Sequence, residues 1–398
     1  MKKATVFVIT LFTACGTQIQ PVAEPETPVE TENQTPHYTL APVDTIGIEL
    51  GESNLGNSGG TPGGSIDSNY VFGAVDAALF GHNGEIIVLD GSKKQISVFS
   101  PDGVFIETIG RQGSGPGEFQ RPSAMALLGN GQLAVSDPWA GKISLFDSSL
   151  VYTDAITGFF PAPPMAITGA DGEAIIGLMK KFDTENDMIG YSLARLDGTA
   201  EPSFVYASEM MPFDPAMIGP GYTETTVAFA SDHSGRVFTS IMSPDNYRIK
   251  GLLPNGEEFL VIDQPYEKVA KTPEEIQNEI DDFNTFLENR AASGGSGRMQ
   301  TMGIQMPAGE LNYEPNPYHY AVSALMVDNH DQLWARRGSE QMPFFDVYDF
   351  DGNLLFTASV GEDTPDAQDW VLAAGDDMLL AFSPDPSGYP KVVVLSLQ

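Results

Sequence analysis

The sequence predicts an all-β chain folded as a six-bladed β-propeller, and three observations carry that expectation. A turn-and-strand pattern recurs six times along the 398 residues, its first three copies at the spacing of about 40–50 residues that marks propeller arrays. The clearest copies join short runs of alternating apolar residues through Asn/Asp-Gly turns, the strongest local hairpin signal, because the tight turn needs positive φ, and degenerate copies follow. Glycine (41) and proline (29) are abundant enough to supply a turn for every short strand.

The clearest copy spans residues 106–146. It reads as a strand (106–109), a glycine-proline loop (110–122), a small-apolar strand (124–128), a tight turn (129–131), a second strand (132–136) and a third (142–146). The turn before the second strand recurs as His82-Asn83-Gly84, Gly129-Asn130-Gly131, Ala170-Asp171-Gly172, Asp232-His233-Ser234-Gly235, Asn329-His330-Asp331 and Gly375-Asp376-Asp377. A second hairpin follows at Pro101-Asp102-Gly103, Asp197-Gly198, Asn255-Gly256 and Asp351-Gly352. Six such units make six four-stranded blades.

Gly113-Ser114-Gly115-Pro116-Gly117-Glu118-Phe119, followed by Pro122 and by Val135-Ser136-Asp137, resembles NHL-repeat propellers. More narrowly it is similar to the lipid-anchored six-bladed propellers of exported bacterial proteins. The resemblance spans residues 38–398, with the loop motif in the first two blades and the strand pattern alone in the rest. It implies a ligand-, peptide- or protein-binding scaffold, because propellers of this kind include binding proteins. It equally admits an enzyme, since some relatives are lyases or lactone hydrolases that use a metal held in the funnel, and a structural component of the cell envelope.

Ring closure is legible as well. Val43-Asp44-Thr45-Ile46-Gly47 echoes Ile106-Glu107-Thr108-Ile109-Gly110, and the chain ends on residues 392–397, a third strand with no fourth behind it. The amino-terminal strand is therefore expected to complete the last blade, which removes exposed sheet edges. Strand parity then sorts the connections. First-to-second and third-to-fourth turns are short and share one face. The long ones (52–70, 110–122, 179–190, 207–225, 263–320 and 336–344) share the other, where binding groups usually sit on such scaffolds.

The largest insertion, residues 263–320, lies on that face. Thr272-Pro273-Glu274-Glu275 is a capping box with proline at the first helical position. Ile276, Ile280, Phe283 and Leu287 recur at helical spacing, which predicts a helix of about five turns with one apolar stripe. A Gly/Ser stretch with Met299, Met302 and Met306 follows, and the whole reads as a rim decoration or a lid over the funnel.

Chemistry-bearing motifs are sparse. His82, His233 and His330 fall at turns, His37 falls where the amino-terminal tether ends and His319 stands alone, so no zinc spacing is present. Asp90 and Asp137 end second strands and read as caps of their own loops or as groups facing the funnel. Residues 183–187 (Asp-Thr-Glu-Asn-Asp) carry calcium-type oxygens without the glycine and terminal glutamate of an EF-hand, and read as a solvated acidic loop. Arg111, Arg121, Arg336 and Arg337 fall on or beside long loops, with Lys180 and Lys181. In so acidic a chain the four arginines, with Asp90 and Asp137, are the candidate ligand-binding groups. No catalytic residue, metal site or cofactor is expected.

The formal charge of −34 repels phosphate backbones and anionic lipid headgroups, which excludes nucleic acid as a natural partner. Residues 1–14 read as an export signal: Lys2 and Lys3, then an apolar run of 4–14, too short to span a bilayer. The run ends in Phe12-Thr13-Ala14-Cys15-Gly16, which resembles a bacterial lipobox, and Cys15 is the single cysteine. Cys15 is thus the expected lipid-attachment site, and no disulfide is possible. Residues 15–36, with Pro21, Pro25, Pro28 and Pro36, form a flexible tether, and residues 37–398 form the propeller. The chain is expected to be a monomer on the cell envelope, with Gly16 after the cysteine pointing to the outer membrane.

Overall fold

The computed structural model describes residues 35–48, 67–183, 185–186, 188–212, 227–292, 313–361, 364, 367–375, 377–383 and 388–398. Residues 1–34, which include the export signal, Cys15 and nearly all of the tether, lie outside these, as do Met299, Met302, Met306 and parts of the 52–70 and 207–225 connections.

The first strand, β1 (His37–Ile46), precedes the ring. Blade I is β2 (Ala77–Phe80), β3 (Ile86–Asp90), β4 (Gln95–Phe99) and β5 (Phe105–Ile109). Blade II is β6 (Ala124–Leu127), β7 (Leu133–Asp137), β8 (Lys142–Phe146) and β9 (Tyr152–Thr157). Blade III is β10 (Ile167–Gly169), β11 (Ala174–Asp183), β12 (Met188–Asp197) and β13 (Phe204–Pro212), and blade IV is β14 (Val227–Ser231), β15 (Val237–Ile241), β16 (Tyr247–Leu252) and β17 (Glu258–Gln264). The helix α1 (Pro273–Ala292) separates these from blade V, made of β18 (Val322–Val327), β19 (Leu333–Arg337), β20 (Phe344–Tyr348) and β21 (Leu354–Val360). Blade VI is β22 (Val371–Ala374), β23 (Met378–Phe382), β24 (Val392–Leu397) and, as its outer strand, β1.

The turn chemistry works as the sequence requires. Gly84, Gly131, Gly172 and Gly235 take φ between +58° and +89° at first-to-second turns, as do Gly103, Gly198, Gly256 and Gly352 (+71° to +88°) at third-to-fourth turns. Only a residue without a Cβ adopts that conformation freely. In blade V the first turn puts Asp331 there instead, at φ +59°, a residue type that tolerates the left-handed region.

Period-2 alternation gives the inner strands two buried faces, one toward each neighbouring blade, while outer strands such as β5 and β9 keep exposed positions. In β3, Ile86 and Val88 pack toward blade VI with Phe382 and Val394, whereas Ile87 and Leu89 pack toward blade II with Val135 and Phe146. The same logic repeats around the ring. Six apolar clusters occupy the six blade interfaces among the described residues. Each fully buried Leu, Ile or Phe side chain contributes about 1.5–3 kcal/mol, so stability is distributed around the ring and depends on its closure.

Closure follows the expected route. Residues Leu40–Ile46 of β1 pair antiparallel with β24, Leu40 opposite Leu397 and Ile46 opposite Val392. The first four residues also pair parallel with β21, His37 opposite Thr357 and Leu40 opposite Val360, so β1 stitches blades V and VI into one sheet. His37 is therefore part of the ring and not of the tether: its ring stacks on Phe344 and Nδ1 bonds Thr357 Oγ1 at 2.8 Å.

Several boundaries differ from the sequence reading: β13 carries the chain to Pro212 inside the expected 207–225 loop, and Arg336, Arg337 and Phe344 belong to β19 and β20 and not to a 336–344 loop. The 179–190 loop is instead the far end of a long hairpin, with Met179 opposite Ser192 and Asp183 opposite Met188. The charged Lys180, Lys181 and Asp183 made it look like a loop, but in the paired strand these residues are only partly exposed. Asp183 Oδ1 accepts the Glu185 and Asn186 N–H groups, so these acidic residues shape a turn. The large insertion begins after Gln264, not at Asp263, because both residues continue β17 opposite Arg248 and Tyr247.

Candidate functional site

The connection between β17 and β18 builds the site. Its two legs form a short ribbon: Lys271 N donates to Pro317 O and His319 N to Val269 O, both at 2.9 Å, with Ala270 bridged to Tyr318. Ala321 N donates to Ser243 O at 2.9 Å, which ties the outgoing leg to the β15–β16 loop. The helix stands on this ribbon through the capping box: Thr272 N donates to Glu275 Oε2 (2.6 Å) and Glu275 N to Thr272 Oγ1 (3.2 Å). The Thr272 N–H is also the main reason the Glu275 carboxyl titrates below its ordinary range. Along the predicted stripe, Ile276 and Ile280 are half-buried and Phe283 is buried, its ring 5.0 Å from Tyr313. The side chain of Leu287 lies outside the described residues.

Between ribbon, helix and blade V lies a pocket of ≈ 340 Å³. Lys271 and Glu279 form one wall as an ion pair (Nζ–Oε1 2.5 Å). His319, Tyr320 and Asn316 come from the outgoing leg, and Tyr313 and Met242 border it. His319 does not stand alone, because its Nε2 lies 3.4 Å from Glu275 Oε1. The floor is Ser323 and Gly338 of blade V. A Cβ at Gly338 would come within 2.3 Å of Tyr320 O, so glycine lets the leg lie against the blade. Ser323 occupies a β-bulge: Val322 pairs with Arg337 and Ala324 with Arg336, leaving Ser323 without an opposite residue. Its hydroxyl is buried and has no hydrogen-bond partner among the described residues.

Arg337 directly precedes Gly338 and anchors a buried polar chain. Its Nη2 and Nε donate to Asp346 (2.7 and 3.0 Å), and its guanidinium lies 4.4 Å over the Phe344 ring. Tyr247 OH donates to the same carboxylate at 2.9 Å, Tyr348 OH donates to Tyr247 OH at 3.0 Å, and Gln264 Nε2 donates to Tyr348 OH at 2.9 Å. Burial first, and then the Asp346 charge, push both tyrosines well above the ordinary phenol range, so they stay neutral donors. The Asp346 side chain, by its hydrogen bond, holds the Arg337 guanidinium above its ordinary value.

The six candidate binding residues from the sequence are not brought together. Asp90 is fully buried and accepts N–H bonds from Gly73, Ala74 and Lys93. Asp137 does the same for Gln120, Arg121 and Ala140. Both are caps that pin the incoming and outgoing loops of blades I and II. Arg111 pairs with Glu118, and Arg121 lies 5.0 Å over the Trp139 ring. Arg336, on blade V across the ring from blade II, donates to Trp370 O (2.8 Å) and Gln368 O (2.6 Å); its burial pulls the guanidinium below its ordinary value. Beside Asp90, burial foremost raises the Asp76 carboxyl above its usual range, while the Gly91 N–H opposes the shift. Sequence reading also passed over Arg195 and Arg236, which pair with Asp171, Asp197, Asp232 and Asp331 at the short turns. Among the described residues no three His, Cys, Asp or Glu side chains converge as a metal-binding group.

A family model described as a 6-bladed beta-propeller matches residues 72–191, which is blade I to the middle of blade III. No curated protein matches the chain. Among solved structures it is similar to an exported protein from Bacteroides fragilis (12% identity, 84% of this chain and 93% of that one, TM-score 0.46). It is also similar to a gluconolactonase from Xanthomonas campestris (12% identity, 90% and 97%, TM-score 0.41). A virginiamycin B lyase from Staphylococcus aureus gives 11% identity over 92% and 97%, with a TM-score of 0.39. Six closed blades and the matched description agree: the chain is a six-bladed β-propeller with one helical insertion.

Proposed function

We propose that the protein is an exported, lipid-anchored propeller that binds a small ligand in the pocket beneath the helical insertion. The observation that carries this reading is the pocket itself, ≈ 340 Å³ and lined by polar and aromatic side chains from blade V and the insertion. It lies within the range of about 300–1,000 Å³ typical of ligand sites. The long-loop face remains the binding face, but the groups assigned to it are those of the insertion and not the six loop residues weighed from sequence. Replacing residues 273–315 by a short Gly/Ser linker keeps the ribbon and the ring, because loop closure costs only about 0.6 kcal/mol per doubling of length. The truncated protein is expected to keep its cooperative melt and to lose ligand binding, measured by calorimetry beside the intact chain. Unchanged binding after that replacement would falsify the assignment.

Anchoring rests on the Lys2-Lys3 start, the short apolar run and the single Cys15. Cys15→Ser is expected to move the protein from the membrane fraction to the soluble fraction of the envelope. Retention in the membrane pellet at the wild-type level would remove the anchor from the account.

A further inference from the structure

Away from the pocket, the long-loop face carries a patch of exposed apolar side chains where blades II and III meet. We infer that this crown is a docking surface for an acidic peptide segment of a partner protein, one that carries an aromatic or leucine anchor, and that it works independently of the pocket at blade V.

Three connections meet there, all on the long-loop face by strand parity. Trp139 lies between β7 and β8, Phe160 and Met165 lie between β9 and β10, and Lys181 lies at the far end of the β11–β12 hairpin. Hydrogen bonds bring them together. Ser136, three residues before Trp139, donates from its Oγ to Pro164 O at 2.6 Å, and Leu178 N donates to Ala166 O at 3.1 Å. Ile175 and Met179 face blade II in the shared apolar cluster, so by alternation Lys181 continues the same side. Arg121 joins from the connection between blades I and II. Its N–H is held by Asp137 Oδ1 at 3.1 Å, and its guanidinium lies 5.0 Å over the Trp139 ring.

Phe160 is 75% exposed, Met165 66% and Trp139 54%. Apolar residues exposed singly are ordinary, but three on adjoining loops form a patch of the kind that marks interaction sites. The underside of the β9–β10 connection is packed. Phe159 joins the apolar cluster below, Pro163 and Pro164 are buried, and a Cβ at Gly177 would come within 2.6 Å of Pro164 Cγ. Phe160 and Met165 are thus held outward by a fixed backbone, and a preorganised surface loses little freedom on binding. Trp, Phe, Met and Arg are also the residue types enriched at the cores of protein interfaces.

Charge selects the partner. The whole chain carries −34, yet at physiological ionic strength a surface charge is felt over only about 8 Å, so the groups at the patch decide. Its cations are Arg121 and Lys181. The neighbouring acids are committed to the fold: Asp137 takes three backbone N–H groups, Asp183 shapes its turn, and Glu118 pairs with Arg111. Asp76, which feels the Arg121 charge, accepts from Gly91 N at 2.8 Å. A segment with acids flanking an apolar anchor answers the patch and its cations together. A bilayer or a second copy would instead face the acidic surroundings as well, and a second copy would also set these cations against themselves.

The test uses the full chain carrying Cys15→Ser, purified without detergent. Of the three tryptophans, Trp334 and Trp370 are 2% exposed, so acrylamide quenching of fluorescence reports on Trp139. The probes are short tryptophan-free peptides with two Phe or Leu residues among Asp and Glu, the same peptides with Lys in place of the acids, and vesicles of phosphatidylcholine or phosphatidylglycerol. At least one acidic peptide is expected to bind by calorimetry and to shield Trp139, and to bind more weakly as salt rises. Phe160→Ser and Arg121→Gln should each weaken it roughly fivefold or more, with the melting temperature unchanged. Asn130→Ala, on the opposite face, should bind it as the wild type does. The linker variant lacking residues 273–315 should do the same, which separates this outcome from that of the pocket. Equal or tighter binding of the Lys peptides would overturn the acidic class. Shielding of Trp139 by vesicles in preference to every peptide, or by raised protein concentration alone, would put a bilayer or a second copy in the partner's place and overturn the proposal. Acidic peptides that bind without shielding Trp139, or no binder among the peptides, would overturn it too.

Discussion

Deleting residues 37–46 is expected to abolish cooperative folding of the ring. The strand lost is β1, the outer strand of blade VI, and its effect exceeds its length. Leu40 belongs to the apolar cluster between blades V and VI, and Ile46 to the cluster between blades VI and I, both essentially inaccessible to water. Removing both forfeits about 3–6 kcal/mol of burial, a large share of the 5–15 kcal/mol that holds a typical fold. The deletion also bares the β24 edge from Val392 to Leu397 and unstitches β21, which offers two apolar edges for pairing between molecules. The expected result is a broad, low-temperature melt with high-molecular-weight material on size exclusion. A sharp melt at the wild-type temperature would show that the ring closes without β1.

How far the chain could be read in advance depended on the range of the interactions involved. Blade count, turn positions and closure are local matters of period-2 alternation and left-handed turn residues, and Gly131, Gly256 and Gly352 take up the φ their turns require. The capping box at Thr272 is equally local and appears as read. The pocket is not local. Lys271, just before the cap, meets Glu279 in the second turn of α1 across eight positions, and His319 meets Glu275 across 44 positions of chain through a ribbon whose pairing no spacing reveals. The Ser323 bulge is invisible in Val322–Val327, since a bulge is defined by the register of the partner strand. The arginines misled for a related reason. A scarce cation on a long loop reads as a free binding group, yet Arg336 and Arg337 spend their donors on Gln368, Trp370 and Asp346. Scarcity of positive charge made such internal pairing the expected fate of each one.

Replacing Asp346 by alanine is expected to cost about 3 kcal/mol, the largest effect of any single polar substitution argued for this ring. Asp346 is 2% exposed and receives three donors: two from Arg337 and one from Tyr247. Its loss strands a half-buried guanidinium and turns the Tyr247 hydroxyl toward nothing, with Tyr348 and Gln264 next in the chain. Breaking a buried charge pair by removing one member costs about 3–5 kcal/mol; the Arg337 side chain is 36% exposed, so water recovers part of that. Asp346→Asn keeps an acceptor for Tyr247 and should cost less, while Arg337→Ala should also destabilise, contrary to what surface position alone predicts. The double variant Asp346→Asn with Arg337→Met isolates the pair, because neither partner is then left charged. Because Arg337 leads into Gly338, the same substitutions should loosen the pocket floor, so ligand affinity should fall together with the urea midpoint. If Asp346→Ala leaves that midpoint within experimental error of wild type, the buried chain contributes nothing net, and the blade IV–V interface is held by its apolar cluster alone.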